Sequence, residues 1–204
     1  MSETQSPDGL PLVPGRSCGT CNACCVWLTI NDAELQKAQG IRCHHAKADN
    51  SCAIYAARPQ MCRTFFCGWR HLKWVREALR PDRSGVLIRL HGEVSRGTGT
   101  MRLGVVFTLL NGDSLRAEGL AESVAAAVAA DVPAFLNIPG PPGYTSAQVK
   151  INEVLAEPVR TKDKRAVLGI LEELRRIGLK GEKFRIRFEP EPNPCSDPAA
   201  NRLS

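Results

Sequence analysis

Four of the chain's nine cysteines lie within eight residues, in the run Cys18-Gly-Thr-Cys21-Asn-Ala-Cys24-Cys25. Four more follow at wider spacing, at Cys43, Cys52, Cys62 and Cys67, and the ninth is Cys195. Metal ligation by thiolates is the role that requires many cysteines close together. We therefore expect these eight residues to bind metal.

The spacing of the first run indicates how the sulfurs would be shared. A Cys-x-x-Cys turn places two sulfurs on one side of a tight loop, and its extension to Cys24 brings a third, as at the start of an iron–sulfur ligand run. Side chains of adjacent residues diverge, so Cys24 and Cys25 are expected to serve two different sites or to bridge two metals. Eight cysteines, with His45 as a further candidate, fill two four-coordinate sites, or one cluster and one zinc site.

Composition favours a reducing compartment. Residues 1–15 are polar and rich in proline and glycine, with no apolar stretch typical of a secretory signal. No apolar run approaches the length of a membrane span. We expect a cytoplasmic protein without a membrane contact, and clustered cysteines there bind metal more often than they form disulfides.

The net charge is +6 when the cysteines are counted as neutral. Four thiolates around one divalent zinc contribute −2, so two such sites would leave roughly +2. The basic balance is therefore weak support for an anionic partner, and nucleic-acid binding is not favoured. A solvated amphipathic helix is the simpler explanation of the basic, aromatic stretch 70–76.

The sequence predicts an α+β protein in four segments. Residues 1–15 are expected to be a disordered leader, 16–81 an irregular, metal-stapled cysteine module, 82–188 a small α+β half with short strands and two longer helices, and 189–204 a disordered tail. A protein partner would bind the second half.

Patterning predicts individual elements within these segments. Expected helices are a short one from Asn31-Asp32 through Gln39, one at Tyr55–Ala57, one at 69–79, one at 115–130 and one at 163–177 that stops at Gly178. Expected strands are 86–90 and 103–110, paired as a hairpin, and 184–188; the stretch 149–155 fits either type.

The cysteine module resembles a known family. The run around Cys18, the later Cys43-His44-His45 and the block Cys52-Ala-Ile-Tyr55-Ala-Ala-Arg58-Pro59-Gln-Met-Cys62-Arg63 are similar, in order, to the CxxCxxCC cysteine-cluster family, described as a zinc- or iron-chelating domain. The resemblance covers about residues 16–70. One departure is Asn22, where many members have glycine, and asparagine also tolerates a left-handed turn.

The resemblance implies chelation of zinc or iron, as single ions or as an iron–sulfur cluster. Around the ligands, Arg58 and Arg63 are candidates to donate hydrogen bonds to sulfur, with Tyr55 packed nearby. Cysteine-only coordination favours a structural metal, since catalytic zinc keeps a position open for water.

Two other functions remain open. One is an iron–sulfur protein acting in electron transfer or in a methylation-type protein modification, which the three-cysteine start favours. The other is a thiol redox or metal-delivery protein. No nucleophile and base can be paired in the sequence, so no catalytic residue is assigned and whether the protein is an enzyme stays open.

Overall fold

The computed structural model of the chain describes residues 5–6, 9–94 and 99–188, so the expected tail at 189–204 lies outside it. The first third of the described chain forms short elements only. They are α1 Ala23–Trp27, β1 Ile30–Asp32, β2 Leu35–Lys37, α2 Gln60–Thr64, α3 Gly68–His71 and α4 Pro81–Ser84, with 3-10 turns at Tyr55–Ala57 and Glu77–Leu79. The turn at Tyr55–Ala57 confirms the helical prediction there.

The helix predicted from Asn31-Asp32 through Gln39 is wrong. In its place β1 and β2 form an antiparallel hairpin, with Ile30 opposite Lys37. The Oδ1 atom of Asp32 accepts the backbone N–H of Glu34 at 3.1 Å. An aspartate can cap a tight turn as readily as a helix, and here it caps the turn.

The single helix predicted for 69–79 is also wrong, since α3 stops after about one turn. The guanidinium of Arg16 explains the interruption. It donates to the carbonyl oxygens of Trp69 at 2.6 Å, Leu72 at 3.1 Å and Val75 at 2.7 Å. In a continuous helix these carbonyls would accept N–H groups four residues further on. Arg16 therefore stabilises an irregular path for this segment.

The second half is built on a four-stranded mixed sheet of order β3-β4-β5-β6. The strands are β3 Val86–Val94, β4 Met101–Leu109, β5 Ala134–Ile138 and β6 Ala147–Lys150. β3 and β4 are antiparallel, β4 and β5 parallel, and β5 and β6 antiparallel. The predicted hairpin is confirmed, but β3 and β4 have nine residues each and are longer than the short strands expected.

Three longer helices, rather than the expected two, follow in the described chain. They are α5 Leu120–Ala129, α6 Asn152–Arg160 and α7 Lys164–Lys180. The ambiguous stretch 149–155 divides between the end of β6 and the start of α6. Helix α7 begins where Asp163 Oδ1 accepts the Ala166 N–H at 3.0 Å, and it continues past the predicted stop at Gly178.

The helices cover one face of the sheet. One apolar cluster joins the sheet to the helices. The sheet contributes Val86 and Ile88 of β3, Val105, Phe107 and Leu109 of β4, and Ala134, Leu136 and Ile138 of β5. The helices contribute Leu120, Val124, Leu155, Val167 and Leu171. Trp69, Val75 and Leu79 of the first half belong to the same cluster. The main core is thus shared across the boundary expected at residues 81–82.

The cysteine module is fastened to this core by close contacts. A Cβ added to Gly68 would lie 2.6 Å from Cγ2 of Ile88, so α3 lies directly on β3. The Ser146 hydroxyl donates to Gln39 Oε1 at 2.6 Å. In the segment expected to be a leader, the N–H of Val13 donates to the Arg70 carbonyl at 2.7 Å. The module therefore has a fixed place against the sheet.

The architecture is α+β, as predicted. The stretch 184–188, predicted to be a half-buried strand, contributes an isolated bridge between Tyr144 and Arg185, and Phe184 is 62% exposed. Its pairing partner is the turn after β5 rather than a strand of the sheet. Among the described residues, no helix combines the length and the apolar character that crossing a membrane requires.

Candidate metal centre

The eight cysteines of the module all lie in the described part of the chain, and all eight are free thiols. Most are partly buried, while Cys43 is buried and Cys18 is exposed. Cys195 lies outside the described residues. None of these eight residues is paired in a disulfide.

We call Cys18, Cys21, Cys24 and Cys67 the first thiol group, because Cys18 and Cys21 contribute to the raised pKa of both Cys24 and Cys67. The N–H of Cys21 donates to the Cys18 carbonyl at 2.8 Å and closes the Cys-x-x-Cys turn. Burial raises the pKa of Cys67 to about 11, and the thiols of Cys18 and Cys21 contribute in the same direction. Charges act strongly on a pKa only over several ångströms. Cys67, although distant in sequence, is therefore within electrostatic range of this turn.

Backbone amides lower the pKa of thiols in this group. Burial raises the pKa of Cys21, but the amides of Ala23 and Asp82 donate hydrogen bonds to its sulfur and oppose that rise. The N–H of Arg70, which donates to the Cys67 carbonyl at 2.8 Å, opposes the rise in the pKa of Cys67. A donor to sulfur favours the thiolate over the thiol, and the thiolate is the form that ligates a metal.

Two arginines hold the chain around the first thiol group. The Arg80 Nη2 atom donates to the Cys18 carbonyl at 2.8 Å, and its Nε atom lies 2.9 Å from Asp82 Oδ1. Two residues before Cys18, Arg16 binds the carbonyls that follow Cys67 in the chain, beginning with Trp69. These contacts bring together the start and the end of the module.

A second thiol group consists of Cys25, Cys43, Cys52 and Cys62. The N–H of Cys43 donates to the Cys25 carbonyl at 2.8 Å. Cys25, Cys43 and Cys62 pack with Ile30 and Leu35 in a small apolar cluster. Burial raises the pKa of Cys62, and the charges of Cys25, Cys43 and Cys52 contribute to that rise. The hairpin of β1 and β2 thus supports this group.

The two groups meet at Cys24 and Cys25. A hydrogen bond from the Cys24 thiol to the Cys25 sulfur raises the pKa of Cys24 and lowers the pKa of Cys25 to about 6. Their side chains were expected to diverge and are instead in contact. The groups are therefore neighbours, joined through one peptide unit.

Sequence analysis missed a buried lysine beside the second group. Lys37 is 5% exposed. Its Nζ atom lies 2.7 to 3.2 Å from the carbonyl oxygens of Val26, Leu28, Ala38 and Ile41. Strand β2 alternates buried, exposed, buried and so places Lys37 on the inner face. Nothing in the sequence indicated this, because a helix was predicted here.

The positive charge of Lys37 interacts electrostatically with nearby thiols. Burial lowers the pKa of Lys37, whereas Cys43, Cys25, Cys24 and Cys62 oppose that change. An ammonium group held by carbonyl oxygens next to thiolates offsets their negative charge. The second thiol group therefore has a counter-charge inside the protein.

Of the arginines expected around the ligands, Arg58 is near the thiols. Its charge contributes to the lowered pKa of Cys25 and opposes the raised pKa of Cys62. Tyr55, 66% exposed, does not cover the cysteines but holds Arg58, whose guanidinium lies 3.8 Å from the Tyr55 ring centroid. Arg63 is exposed and donates to Gln60 Oε1 at 2.9 Å.

The histidine considered as a ligand, His45, packs its ring against that of His44, with centroids 3.9 Å apart. Its carbonyl accepts the N–H of Ala53 at 2.8 Å. Each thiol group already contains four cysteines. Neither group needs His45 to reach four ligands.

The donors suit a thiolate-binding ion, but their side chains do not close a coordination shell. Among the described residues, no three cysteine, histidine, aspartate or glutamate side chains are arranged to hold a metal ion. Thiolates bound to tetrahedral zinc at about 2.3 Å lie roughly 3.8 Å from one another. Metal binding would therefore require the sulfurs in each group to move inward.

Comparison with known proteins adds no relative. The chain matches no family model, no curated protein and no solved structure.

Proposed function

We propose that this protein chelates zinc or iron through the thiolates of its cysteine module, and that the metal is structural. The observation that carries the proposal is the contrast between cysteines and apolar residues in the module. Beside the second thiol group, the buried apolar cluster consists of Ile30, Leu35 and Cys43 alone, whereas the main core contains nineteen buried residues. So small a cluster contributes little stability, and a bound metal would supply the remainder.

The chain's own residues would prepare the site in two ways. Backbone amides that donate to the Cys21 sulfur favour its thiolate form. Lys37 and Arg58 offset the negative charge that accumulates when thiolates gather around a divalent ion. The metal would link distant parts of the module, as structural zinc does elsewhere.

The compartment, the family and a protein partner are part of the same proposal. Eight cysteines without a disulfide support a reducing compartment, the cytoplasm. The order of the cysteine motifs supports membership of the CxxCxxCC cysteine-cluster family. A protein partner on the second half is supported by the exposed Met101 and Leu103 of β4, which are 72% and 55% exposed.

An iron–sulfur cluster is the second candidate. It is favoured by Cys18, Cys21 and Cys24, because the first two contribute to the raised pKa of the third. Such a cluster would suit electron transfer or a protein-modification reaction. Analysis of the metal in purified protein distinguishes the structural ion from the cluster.

The test is elemental analysis of protein purified without oxygen, together with a sulfide assay and an absorption spectrum. Colourless protein with zinc supports the structural ion, and brown protein with iron, sulfide and absorption near roughly 400 nm supports the cluster. Cys62→Ser should lower the metal content, while Cys195→Ser should not. Equal metal in wild type and both variants, or none in the wild type, would overturn the proposal.

A further inference from the structure

We infer that a small cleft between the cysteine module and helix α7 docks an acidic segment of a partner protein, which places one apolar side chain in the cleft and one carboxylate on Arg175. Among the described residues, none that lines the cleft is a cysteine, so this binding goes beyond the proposed function. The cleft lies at the end of β4, whereas the exposed Met101 and Leu103 lie near its start, so the two surfaces are separate.

The cleft lies where α1 of the module meets the sheet and α7. Trp27, the last residue of α1, lines it together with Arg175 and Leu179 of α7. Leu109 at the end of β4 and Ile138 at the end of β5 also line it, and both belong to the main core. The cleft therefore reaches from the surface to the core of the second half.

The size of the cleft suits a single side chain. Its volume is about 150 Å³, whereas sites for cofactors and drug-sized ligands enclose roughly 300–1,000 Å³. Most of its lining is apolar, and Leu179 is 51% exposed. One apolar side chain from a partner would fill the cleft and remove Leu179 from water.

A charged group without a partner lies at the same place. Among the described residues that line the cleft, Arg175 alone carries a charge. A Cβ added to Gly112, another lining residue, would lie 3.7 Å from Nη2 of Arg175. Within the described part of the chain, the Arg175 guanidinium makes neither a hydrogen bond nor an ion pair. Its N–H donors are therefore available to a ligand.

The next residue of α7 shows that Arg175 could have found a partner on its own helix. Arg176 pairs with Glu173, three residues before it, through Nη2 and Oε1 at 2.5 Å. Glu172 precedes Arg175 at the same spacing, yet these two described residues form no ion pair. Arg175 instead lies half-buried in the lining of the cleft. Its position there favours a ligand from outside the chain.

A carboxylate is the group that this arrangement fits best. A guanidinium binds a carboxylate through two parallel N–H···O bonds, and apolar surroundings strengthen such bonds. An acidic segment with one apolar residue would pair with Arg175 and cover Leu179 at the same time. A single-stranded nucleic acid fits less well, because it needs several cations and aromatic platforms. In the described lining, Arg175 is the one cation and Trp27 the one aromatic side chain.

The probe for the test is a capped pentapeptide with one leucine between aspartates, titrated into isotope-labelled protein and followed by NMR. We expect the indole N–H of Trp27 to shift, with a Kd on the order of 1 mM for so small an interface. Arg175→Gln should weaken binding about tenfold or more. The matched control is Arg176→Gln, which removes the same charge one residue away and should change the Kd by less than about twofold.

A second peptide, in which glycine replaces leucine, tests the apolar contact. It should bind wild type about tenfold more weakly, because no leucine side chain is removed from water. This comparison uses wild type only and so does not depend on how the variants fold. Leu179→Ala should weaken binding of the leucine peptide and leave the glycine peptide unchanged. Equal affinity of wild type for the two peptides would show that the cleft takes no side chain, contrary to the inference.

Other outcomes would overturn the inference as well. Wild type that does not bind the leucine peptide would show that the cleft does not take an acidic segment. Equal losses in Arg175→Gln and Arg176→Gln would show general attraction to a basic surface. A thymidine pentanucleotide bound more tightly than the peptide would assign the cleft to a nucleic acid, and a dimer of the free protein abolished by Arg175→Gln would assign it to a second copy. The metal content of the protein does not depend on any of these results.

Discussion

Replacement of Lys37 by methionine tests the buried charge beside the second thiol group. Methionine keeps much of the length and the apolar stem but has no N–H donor. The three protons of the ammonium group serve four carbonyl oxygens, those of Val26, Leu28, Ala38 and Ile41. Lys37→Met would leave these acceptors without a donor in a place where Lys37 is 5% exposed.

The size of the effect follows from these contacts. A buried polar group left without its partner costs about 1–3 kcal/mol, so three lost bonds would cost about 3–9 kcal/mol. Burial of the ammonium group costs several kcal/mol, which its removal recovers. We expect Lys37→Met to lower the free energy of unfolding by about 2–4 kcal/mol.

Urea unfolding at saturating zinc, followed by circular dichroism, measures this change. With a slope of about 2 kcal/mol/M, the midpoint should fall by about 1–2 M. The matched control is Lys47→Met, since Lys47 lies in the same module and is exposed; its midpoint should stay within about 0.3 M of wild type. Equal midpoints for the two variants would refute the role assigned to Lys37.

Gly104→Ala should lower the free energy of unfolding by about 1–3 kcal/mol, because the new Cβ would lie 2.6 Å from the Pro133 carbonyl oxygen. Gly169→Ala should raise it by about 0.5–1 kcal/mol, because the position in α7 has open space around it. Thermal unfolding checks both, and shifts of the same sign would contradict the packing. Asp163→Ala removes the side chain that caps α7. The free energy of unfolding should fall by about 1 kcal/mol, which corresponds to a fall of about 2–4 °C in Tm. An unchanged Tm would show that this cap does not stabilise the fold. Metal retention should decline as pH falls from about 8 to about 4, because protons compete with the ion for thiolates; retention independent of pH would argue against sulfur ligands.

The second half of the fold was largely predictable from the sequence because its signals were local and regular. Apolar stretches joined by a polar, glycine-containing segment indicated the hairpin of β3 and β4, and Val167, Leu171 and Leu174 at helical spacing indicated α7. The extent of each element was less predictable. Gly178 does not end α7, since a Cβ there would lie 3.1 Å from Ile138 and the glycine serves packing instead.

Within the module, local signals were overridden by long-range contacts. The chain after Trp69 has a helical pattern, but Arg16 binds its carbonyls from more than fifty positions away, at separations of 53 to 59 residues. Asp32 has the features of a helix cap and closes a turn instead. Such competition is decided by tertiary packing, which local pattern does not contain.

The sequence names eight candidate ligands, and their role in binding metal stays a prediction. Cysteine spacing identified all eight thiols. It did not indicate that Cys67 lies within electrostatic range of Cys18 and Cys21, because these residues are far from it in sequence. Lys37 was missed because a charged residue ordinarily faces solvent and because a helix, rather than strand β2, was predicted at this position.

X-ray absorption at the metal edge of protein purified with its metal tests thiolate ligation most directly. We expect a shell of four sulfur atoms at about 2.3 Å. A shell of nitrogen or oxygen atoms at about 2.0–2.1 Å would contradict the account, because cysteine sulfur would then not be the ligand.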